Sequence, residues 1–335
     1  MPLWSTITKT IKTLVGGNLA TDNSNNSMSA TKSQCAPKII NKREISDCKR
    51  KNTKTCKRLR EANFKMSVNE NTCLTSAALS KLVMAYNKSN PRDKILILKN
   101  GDDQWREFSK KMPKNMAEID WLDQDFVKSA LTKSEIAKVK HDHYRPEAPD
   151  SWKQNSKTWL STDDIDKCLQ QYAEKFSDFK YFGAVPSDFH LKLETGACAI
   201  SDLCNINIKN LLAKKYKYVG AVFNFDTHDM SGSHWVAMFV NMPKREITYL
   251  DSNGLPPIPS IKQLMFSIKG QSDKLGMKFK IKYNKKRHQL ENTECGTYAI
   301  NFISQQVEGT KFEEIVNKII RDKEMNNKRF MFFNV

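Results

Sequence analysis

The chain has 335 residues, and its first clear hydrophobic pattern lies between residues 67 and 150. Apolar side chains recur there at helical spacing. Thr75-Ser76 can cap a helix, and Asn90-Pro91 ends it. The apolar residues that share one face of this helix are Leu79, Leu82, Val83 and Tyr86. A short apolar run over 95–98 fits either a strand or a helix start. Helical spacing returns further along the chain, at 105–112, 119–131 and 134–140. The pattern predicts a mostly helical module over 67–150.

A different pattern begins after Pro146 and Pro149, which mark a boundary. Residues 234–242 form a near-continuous apolar run, as expected for a strand that is buried on both faces. Other runs that are rich in β-forming residues lie at 215–225, 247–250 and 278–283. Helical patterns lie at 159–176, 261–268, 296–307 and 312–320. Helices mixed with sequential strands in one block predict an α+β domain over 151–335 rather than alternating βαβ units.

The first 66 residues have no sustained apolar period. They contain 14 Lys and Arg against 4 Asp and Glu, so they carry +10 of the net charge of +18. Such a segment cannot bury enough surface to offset its chain entropy, and we predict a disordered basic leader over 1–66. A basic leader can contact DNA or another polyanion, although a merely solvated leader fits the same composition.

Composition excludes several other classes of protein. No apolar run reaches 18 residues, so the sequence predicts no membrane-spanning helix. The eight cysteines form no C-x-x-C pair, and none lies near a histidine with the spacing of a zinc site. We therefore expect no metal or organic cofactor, and free thiols in a reducing compartment. Cys198 and Cys204 are expected to be structural.

Four residues of complementary chemistry stand at element boundaries, in the order His234, Asp251, Gln289 and Cys295. A cysteine nucleophile needs a base that takes the thiol proton and an acid that orients the base. It also needs a hydrogen-bond donor that stabilises an oxyanion. These four residues can supply each of those parts.

The predicted hairpin explains how two of them meet. A short turn joins the strands at 234–242 and 247–250, so we expect antiparallel pairing that brings Asp251 beside His234. The carboxylate would then accept the Nδ1–H of the imidazole and leave Nε2 facing the thiol.

The nucleophile is expected at the start of a helix. Cys295 precedes an apolar segment of helical period, and the positive end of a helix dipole favours a thiolate. The Cys295 N–H and the Gln289 amide would face the oxyanion. Gly296 allows the backbone to turn tightly and to approach a substrate.

Taken together, these features resemble the superfamily of cysteine peptidases that contains adenovirus protease and the SUMO proteases. The resemblance covers roughly 152–310, and it is closest to the branch found in large DNA viruses. The segments that carry it are Trp159-Leu160, Ser233-His234-Trp235, the 17-residue spacing to Asp251, Arg287-His288-Gln289 and Thr293-Glu294-Cys295-Gly296. Two features depart from the SUMO-protease pattern. Glu294 stands where those proteases usually have Asp, and Asn253 could replace Asp251 as the partner of the histidine.

The resemblance implies a papain-like core with a mixed sheet flanked by helices, and a thiol protease that needs no cofactor. It implies hydrolysis of peptide or isopeptide bonds in protein substrates, often after glycine-containing sequences. Trp235 and Trp159 would help to line a narrow tunnel that admits glycine, although both also fit a role in the core. The Gly16-Gly17 pair in the leader resembles such a site, but a flexible glycine pair is the simpler interpretation.

Several functions remain open on the sequence. A viral maturation protease would cut structural precursors in the host cytoplasm or in a virus particle. A deconjugase would remove a ubiquitin-like modifier, and an acetyltransferase would require acetyl-CoA, for which the sequence has no distinct motif. A basic nucleic-acid-binding particle protein with a degenerate protease fold is the alternative from another class. The intact set of His234, Asp251, Gln289 and Cys295 argues against that alternative.

Overall fold

The computed structural model describes residues 35–37 and 72–334. The rest of the basic leader lies outside the described residues, as do the Gly16-Gly17 pair, Cys48 and Cys56. The disorder, polyanion contact and self-processing that the sequence predicts for the leader therefore stay predictions. The division into three domains at about residues 66 and 150 also stays a prediction.

The first described helices form a layer with its own hydrophobic core. Their bounds are α1 Ser76–Ser89, α2 Gly101–Ser109, α3 Asp125–Ala130 and α4 Lys133–His143. The Thr75 hydroxyl accepts a hydrogen bond from Ala78 N and caps α1 as the sequence predicts. The shared core includes Leu79, Phe108, Trp121, Leu122 and Val127.

One predicted helix in this layer is wrong. Residues 119–131 form a 3₁₀ turn, Glu118–Asp123, and then the separate helix α3. The backbone of Gln124 is extended (φ −69°, ψ 147°) and interrupts the helical hydrogen bonds. Trp121 on one side of the break and Val127 on the other are both buried in the same core. The apolar positions of a broken segment can therefore share one core, which is why their spacing alone did not reveal the break.

The leader also differs from its prediction at one point, since residues 35–37 are packed against the helical layer. Cys35 and Ala36 are buried, and Ala36 N donates to His143 O at 2.9 Å. Cys35 forms a disulfide with Cys73 and a bridge with Tyr144. This small apolar stretch is held by nonlocal contacts that the composition of the leader does not reveal.

A five-stranded mixed sheet organises the rest of the chain. Its strands are β1 Phe179–Val185, β2 Tyr218–Asn224, β3 Trp235–Asn241, β4 Glu246–Leu250 and β5 Lys280–Tyr283, in spatial order. The pairs β1–β2 and β4–β5 are parallel, and the central pairs are antiparallel. The predicted α+β fold with a mixed sheet and the predicted hairpin between β3 and β4 are confirmed.

Helices cover both faces of the sheet. They are α5 Thr162–Lys175, α6 Ser201–Cys204, α7 Ile208–Ala213, α8 Pro259–Lys274, α9 Cys295–Val307, α10 Phe312–Asn317 and α11 Asp322–Phe332. α5 and the almost fully buried α9 pack in one core with Phe239 of β3, and α8 packs in the other with Met238. Because side chains of β3 alternate between two cores, every position of the strand is buried. This explains its continuous apolar run.

The cysteines correct the expectation of free thiols. Among the described residues, Cys35 pairs with Cys73 and Cys198 pairs with Cys204, whereas Cys168 and Cys295 are free and buried. The spacing of cysteines along the chain does not show which of them approach each other in the fold, and this is why the expectation was wrong. No helix in the described part of the chain has the length and apolar character to span a bilayer.

Candidate active site

His234 and Asp251 meet at one end of the β3–β4 hairpin. His234 immediately precedes β3, and Asp251 immediately follows β4, whose Leu250 pairs with Ala237. Antiparallel pairing therefore brings Asp251 back beside His234, the residue before β3. His234 Nε2 donates to Asp251 Oδ1 at 2.6 Å, and the aspartate side chain is fully buried.

The ring nitrogen differs from the one that the sequence argument assigned. Nε2, rather than Nδ1, contacts the carboxylate, so Nδ1 is the nitrogen left for the thiol. The order of residues along the chain brings the imidazole to the acid but does not define the torsion angles that choose between its two nitrogens. The carboxylate still determines the tautomer of the imidazole, with the proton on Nε2 and the lone pair of Nδ1 towards the thiol.

Several backbone groups hold Asp251 in place. Its Oδ1 accepts from Asn253 N at 2.8 Å, and its Oδ2 accepts from Leu255 N at 3.3 Å. Asn284, which follows β5, accepts from Asp251 N at 2.9 Å and donates to Asp251 O at 2.6 Å. The turn after β4 thus holds the carboxylate of Asp251, and Asn284 at the end of the neighbouring strand holds its backbone.

Asn253, the alternative partner of the histidine, lies further away. Its Nδ2 is 3.4 Å from His234 Nε2, compared with 2.6 Å for the Asp251 oxygen. Its backbone N–H also serves Asp251. The geometry therefore favours Asp251 as the acid and leaves Asn253 as a supporting residue of the turn.

Cys295 is the first residue of α9, and its side chain is buried against the histidine. Burial acts to lower the pKa of His234, but hydrogen bonds to Asp251 and Cys295 and the charges of those two groups outweigh it. The result is that the pKa of His234 rises to about 9. An imidazolium is therefore favoured beside the cysteine near neutral pH, which is the charge state that stabilises a thiolate.

Gly296 lies where a side chain would be crowded by its neighbours. A Cβ atom built there would lie 3.1 Å from Leu160 Cβ and 3.4 Å from Trp235 Cδ1. The first of these distances is shorter than most contacts of a Cβ atom, so the segment 159–160 approaches the start of α9 closely. The Trp235 Nε1–H donates to Leu160 O at 3.0 Å and fixes the same approach.

Gln289 is buried and held beside the acid. Its backbone N–H and that of His288 donate to Ser252 O at 3.0 and 2.8 Å. Its side-chain Oε1 accepts from Ser252 Oγ at 2.6 Å. Because the oxygen of the amide is occupied in this way, Nε2 is the end that is left to donate to another group.

A groove opens beside His234. It has a volume of about 420 Å³ and is lined by residues of the 159–162 segment and by a loop that includes Ser233 and Trp235, the neighbours of His234. Trp159 is half exposed at its rim (43%), whereas Trp235 is only 7% exposed. The structure therefore places both predicted tunnel residues at this groove, one as an exposed wall and the other as a buried support.

The domain that contains these residues matches a known protein family. The sequence model of the Ulp1 protease family, C-terminal catalytic domain, matches residues 161–333. The chain belongs to the Ulp1 protease family. The matched range contains all of His234, Asp251, Gln289 and Cys295, and it ends within the last described residues.

Relatives of this Ulp1-family chain occur in large DNA viruses. A protein of Acanthamoeba polyphaga mimivirus, whose name describes it as a thiol protease, is 34% identical over 191 residues. That match covers 57% of this chain and 60% of the relative, so the chain matches less than two thirds of the relative's length. A SUMO-1 cysteine protease of African swine fever virus is 27% identical over 199 residues, covering 54% of this chain and 70% of the relative.

A solved structure shares the fold. The crystal structure of a protease of African swine fever virus superposes with a TM-score of 0.58 at 19% sequence identity. The superposition covers 91% of this chain and 96% of the viral protease chain. At this identity the likeness shows the fold alone.

The structure adds residues to the site that the sequence argument missed. Helix α11 was not predicted, yet Asp322 Oδ2 accepts from Leu290 N and Glu291 N at 2.8 and 3.1 Å. Arg329 Nε donates to Glu294 Oε2 at 2.7 Å. The one available signal was Glu294 itself, because a carboxylate beside the start of an apolar helix needs a partner.

No cluster suited to a metal ion occurs in the part of the chain that the structure describes. Three other histidines form hydrogen bonds that do not involve Cys295 or Asp251. His141 and His228 contact Glu174 and Asp188 on the surface, and His288 Nε2 donates to Val316 O at 3.2 Å.

Proposed function

We propose that this Ulp1-family chain is a cysteine endopeptidase that hydrolyses peptide or isopeptide bonds. The observation that carries the proposal is the contact of His234 with both Asp251 and Cys295 at the start of a buried helix. The family membership supports the same chemistry.

The proposed reaction has two stages. His234 Nδ1 holds the proton that leaves the Cys295 thiol, so the residues form a thiolate–imidazolium pair, and the thiolate sulfur attacks the scissile carbonyl carbon. The Cys295 N–H and Gln289 Nε2 donate to the oxyanion. His234 then gives its proton to the leaving amine, and water hydrolyses the thioester with His234 again acting as base.

We propose that the substrate carries glycine before the scissile bond. The segment that ends in Trp159 and Leu160 lies so close to Gly296 that a single methyl group is crowded there. A substrate backbone that reaches Cys295 past this segment has the least steric conflict when it has no side chains. Trp159 at the rim and the support from Trp235 give the passage its narrow shape.

Peptide turnover tests the proposal directly. We expect the full chain to cleave a fluorogenic peptide with Gly-Gly before the reporter amine, and to lose this activity in Cys295→Ala. A matched peptide with Ala-Ala in the same position should be a poor substrate. Equal turnover of both peptides would reject the glycine preference, and turnover that persists in Cys295→Ala would reject the nucleophile.

Deconjugation of a ubiquitin-like modifier is the second candidate. It is supported by the family and by the name of the African swine fever virus relative, a SUMO-1 cysteine protease. A SUMO–aldehyde probe separates the two functions. Capture of the probe at Cys295 at the rate of the Gly-Gly peptide would favour deconjugation, whereas reaction with the peptide alone favours maturation of precursors.

For the biological setting we propose viral protein maturation in the host cytoplasm or in a particle. The viral origin of the relatives supports this setting. The basic leader over 1–66 would hold the enzyme on DNA or another polyanion.

Salt-dependent binding of duplex DNA tests the role of the leader. We expect affinity that weakens steeply with salt, because lysine and arginine displace counterions from the phosphates. Replacing the Lys and Arg residues of 41–65 by Gln removes most of the positive charge of the leader and keeps residues 35–37 in place. Binding that disappears in this variant would support the role, and binding that survives unchanged would reject it.

A further inference from the structure

Helix α11 buries an arginine beneath the segment that leads to the nucleophile. The side chains of Arg329 and Glu294 are 0% and 1% exposed, and they form an ion pair of 2.7 Å between Nε and Oε2. Glu294 is the residue directly before Cys295, and its backbone O accepts from Tyr298 N in the first turn of α9. A displacement of Glu294 would therefore move the start of the nucleophile helix.

The same guanidinium reaches a second part of the chain. Arg329 Nη1 donates to Ser156 O at 2.7 Å and to Thr158 O at 2.6 Å. Its Nη2 donates to Thr293 O at 2.8 Å. One planar group thus joins the segment before Cys295 to the segment that leads into Trp159, which forms the wall of the groove.

The remaining contacts leave little freedom to either partner. Glu294 Oε1 accepts from Asn326 Nδ2 at 3.0 Å, and Oε2 also accepts from Thr297 Oγ1 at 3.1 Å. The Arg329 guanidinium lies over the Trp152 ring, 4.9 Å from its centroid. A fully satisfied buried pair of this kind is a rigid link between elements.

Stability alone is a poor reason for this link. Taking two charges out of water costs so much that well-packed apolar residues of similar volume often stabilise a protein equally well or better. Apolar residues, however, cannot donate several hydrogen bonds at once, as the planar guanidinium group of an arginine does. Arg329 uses this group towards two chain segments that are distant in sequence.

We propose that Arg329, paired with Glu294, is a positioning residue that sets the distance between Cys295 and the groove wall at Trp159. The proposal rests on the function proposed above, in which substrate passes along that wall to the thiol. In the described part of the chain, Arg329 forms no hydrogen bond with the thiol or the imidazole. It therefore acts through Glu294 and through the 156–159 segment.

Three variants and a control separate positioning from mere stability. Arg329→Lys keeps a positive charge for Glu294 but lacks the planar fork that spans both segments. Arg329→Met leaves Glu294 buried without a countercharge. The double variant Glu294→Gln with Arg329→Met removes both charges and restores a neutral interior. Lys323→Met, an exposed position on the same helix, is the matched control.

Hydrogen exchange and peptide turnover are the two readouts. In Arg329→Lys we expect amides of residues 156–160 to exchange about tenfold faster, while residues 293–297 keep their wild-type rates. The kcat/KM for the Gly-Gly peptide should fall about 100-fold, because a shift of about 1 Å displaces the wall that binds the substrate. The loss should be mainly in KM, since the wall binds substrate and the Cys295–His234 pair is intact. Alkylation of Cys295 by iodoacetamide should stay close to its wild-type rate.

The double variant shows whether Arg329 positions the groove wall or only stabilises the fold. We expect its unfolding midpoint to recover relative to Arg329→Met, while peptide turnover stays about 100-fold low. Turnover that returns together with stability would mean that Arg329 only holds the fold, and it would overturn the proposal. So would unchanged exchange at 156–160 in Arg329→Lys.

Failure of the proposed function would look different. In that case wild-type Cys295 is alkylated selectively but neither peptide nor modifier probe reacts. Exchange at 156–160 then still decides whether Arg329 positions the wall, because it requires no substrate.

Discussion

His234 lies between a fully buried carboxylate and a buried thiol, and both neighbours stabilise its imidazolium form. A single side chain thereby links the chemistry of the site to the stability of the fold. The link can be measured, because the pKa of His234 is raised to about 9 in the folded chain, against about 6.5 for an unperturbed histidine.

The pH dependence of stability follows from the direction of this shift. A raised pKa contributes stability that is present in full below about pH 6.5 and is lost as the pH rises through about 9. We expect the free energy of unfolding to decrease across this window by at most roughly 1.4 kcal/mol per pH unit from this group. Urea titrations from about pH 6 to about pH 9.5 measure it.

The control is a variant that lacks the titrating imidazole of His234. His234→Gln should flatten the decrease, whereas His228→Gln should leave it nearly unchanged, because the His228 ring is largely exposed and its interaction with Asp188 is screened by water. The same slope in wild type and His234→Gln would contradict the assignment.

A substitution of Gln289 tests its proposed role as a donor to the oxyanion. With its Oε1 held by Ser252, its Nε2 is available to the oxyanion. We expect Gln289→Ala to lower kcat by about 10²–10³-fold with little change in KM, as for removal of one oxyanion donor. Gln263→Ala, at an exposed position of α8, is the matched control. Wild-type kcat in Gln289→Ala would remove Gln289 from the proposed mechanism.

The sequence predicts the types and order of these residues better than it predicts their contacts. His234 and Asp251 meet as expected, because their strands pair in a hairpin whose turn is local. The choice of ring nitrogen depends on side-chain torsions, and its prediction was wrong. The brace from Asn284 to Asp251 could not be found, because it joins two ends of strands that are distant in sequence.

At the scale of elements, the start of α9 is the tightest contact of the site. Gly296→Ala would place a methyl group 3.1 Å from Leu160 Cβ. We expect this variant to be destabilised by about 1–3 kcal/mol, as for other overpacked interiors, and to lose peptide turnover.

Gly270, unlike Gly296, has room for a methyl group. It lies in α8, and no atom would lie within 4 Å of an added Cβ. We expect Gly270→Ala to stabilise the chain by about 0.5–1 kcal/mol, because alanine restricts the unfolded chain and favours a helix. Urea unfolding of both variants gives the comparison. Equal effects of the two substitutions would contradict the close approach at Gly296.

Three elements show what the apolar pattern could and could not predict. β3 and α9 are buried along almost their whole length, and apolar residues dominate both sequences. Helix α11 is largely polar and directs Met325, Arg329 and Phe332 inward. A buried arginine does not register as a core position in an apolar pattern, and the helix that carries it was therefore missed.

At the scale of the whole molecule, the described helices before residue 144 and the sheet domain have separate hydrophobic cores. Residues 35–37 lie beside the first of them. Cys35 and Ala36 are buried there, and the disulfide between Cys35 and Cys73 closes a loop with a sequence separation of 38.

A truncation and a point variant test this attachment. Deletion of 1–34 should leave the free energy of unfolding unchanged. Cys35→Ser in the full chain should lower it by about 3–4 kcal/mol under oxidising conditions, because the unfolded chain is no longer crosslinked. In reducing buffer the difference between wild type and Cys35→Ser should nearly vanish. Equal stability of the two in oxidising buffer would contradict the attachment.

Contacts between distant parts of the chain were the hardest features to predict at this scale. Composition separates a basic leader from the rest of the chain, since charge and low hydrophobicity are sums over residues. It does not reveal that a short stretch of the leader returns to pack beside Tyr144, because that contact depends on which distant surfaces meet. The pairing of Cys198 with Cys204, which have a sequence separation of 6, depends instead on the local path of the chain.

The central claim is that His234 activates Cys295. The most direct test is to treat the full chain with a limiting amount of iodoacetamide near neutral pH, map the modified cysteine, and compare His234→Ala with wild type. We expect rapid, selective labelling of Cys295 in wild type and a rate lower by about 10²-fold or more in the variant. Slow labelling that spreads over several cysteines and does not change in His234→Ala would contradict the claim.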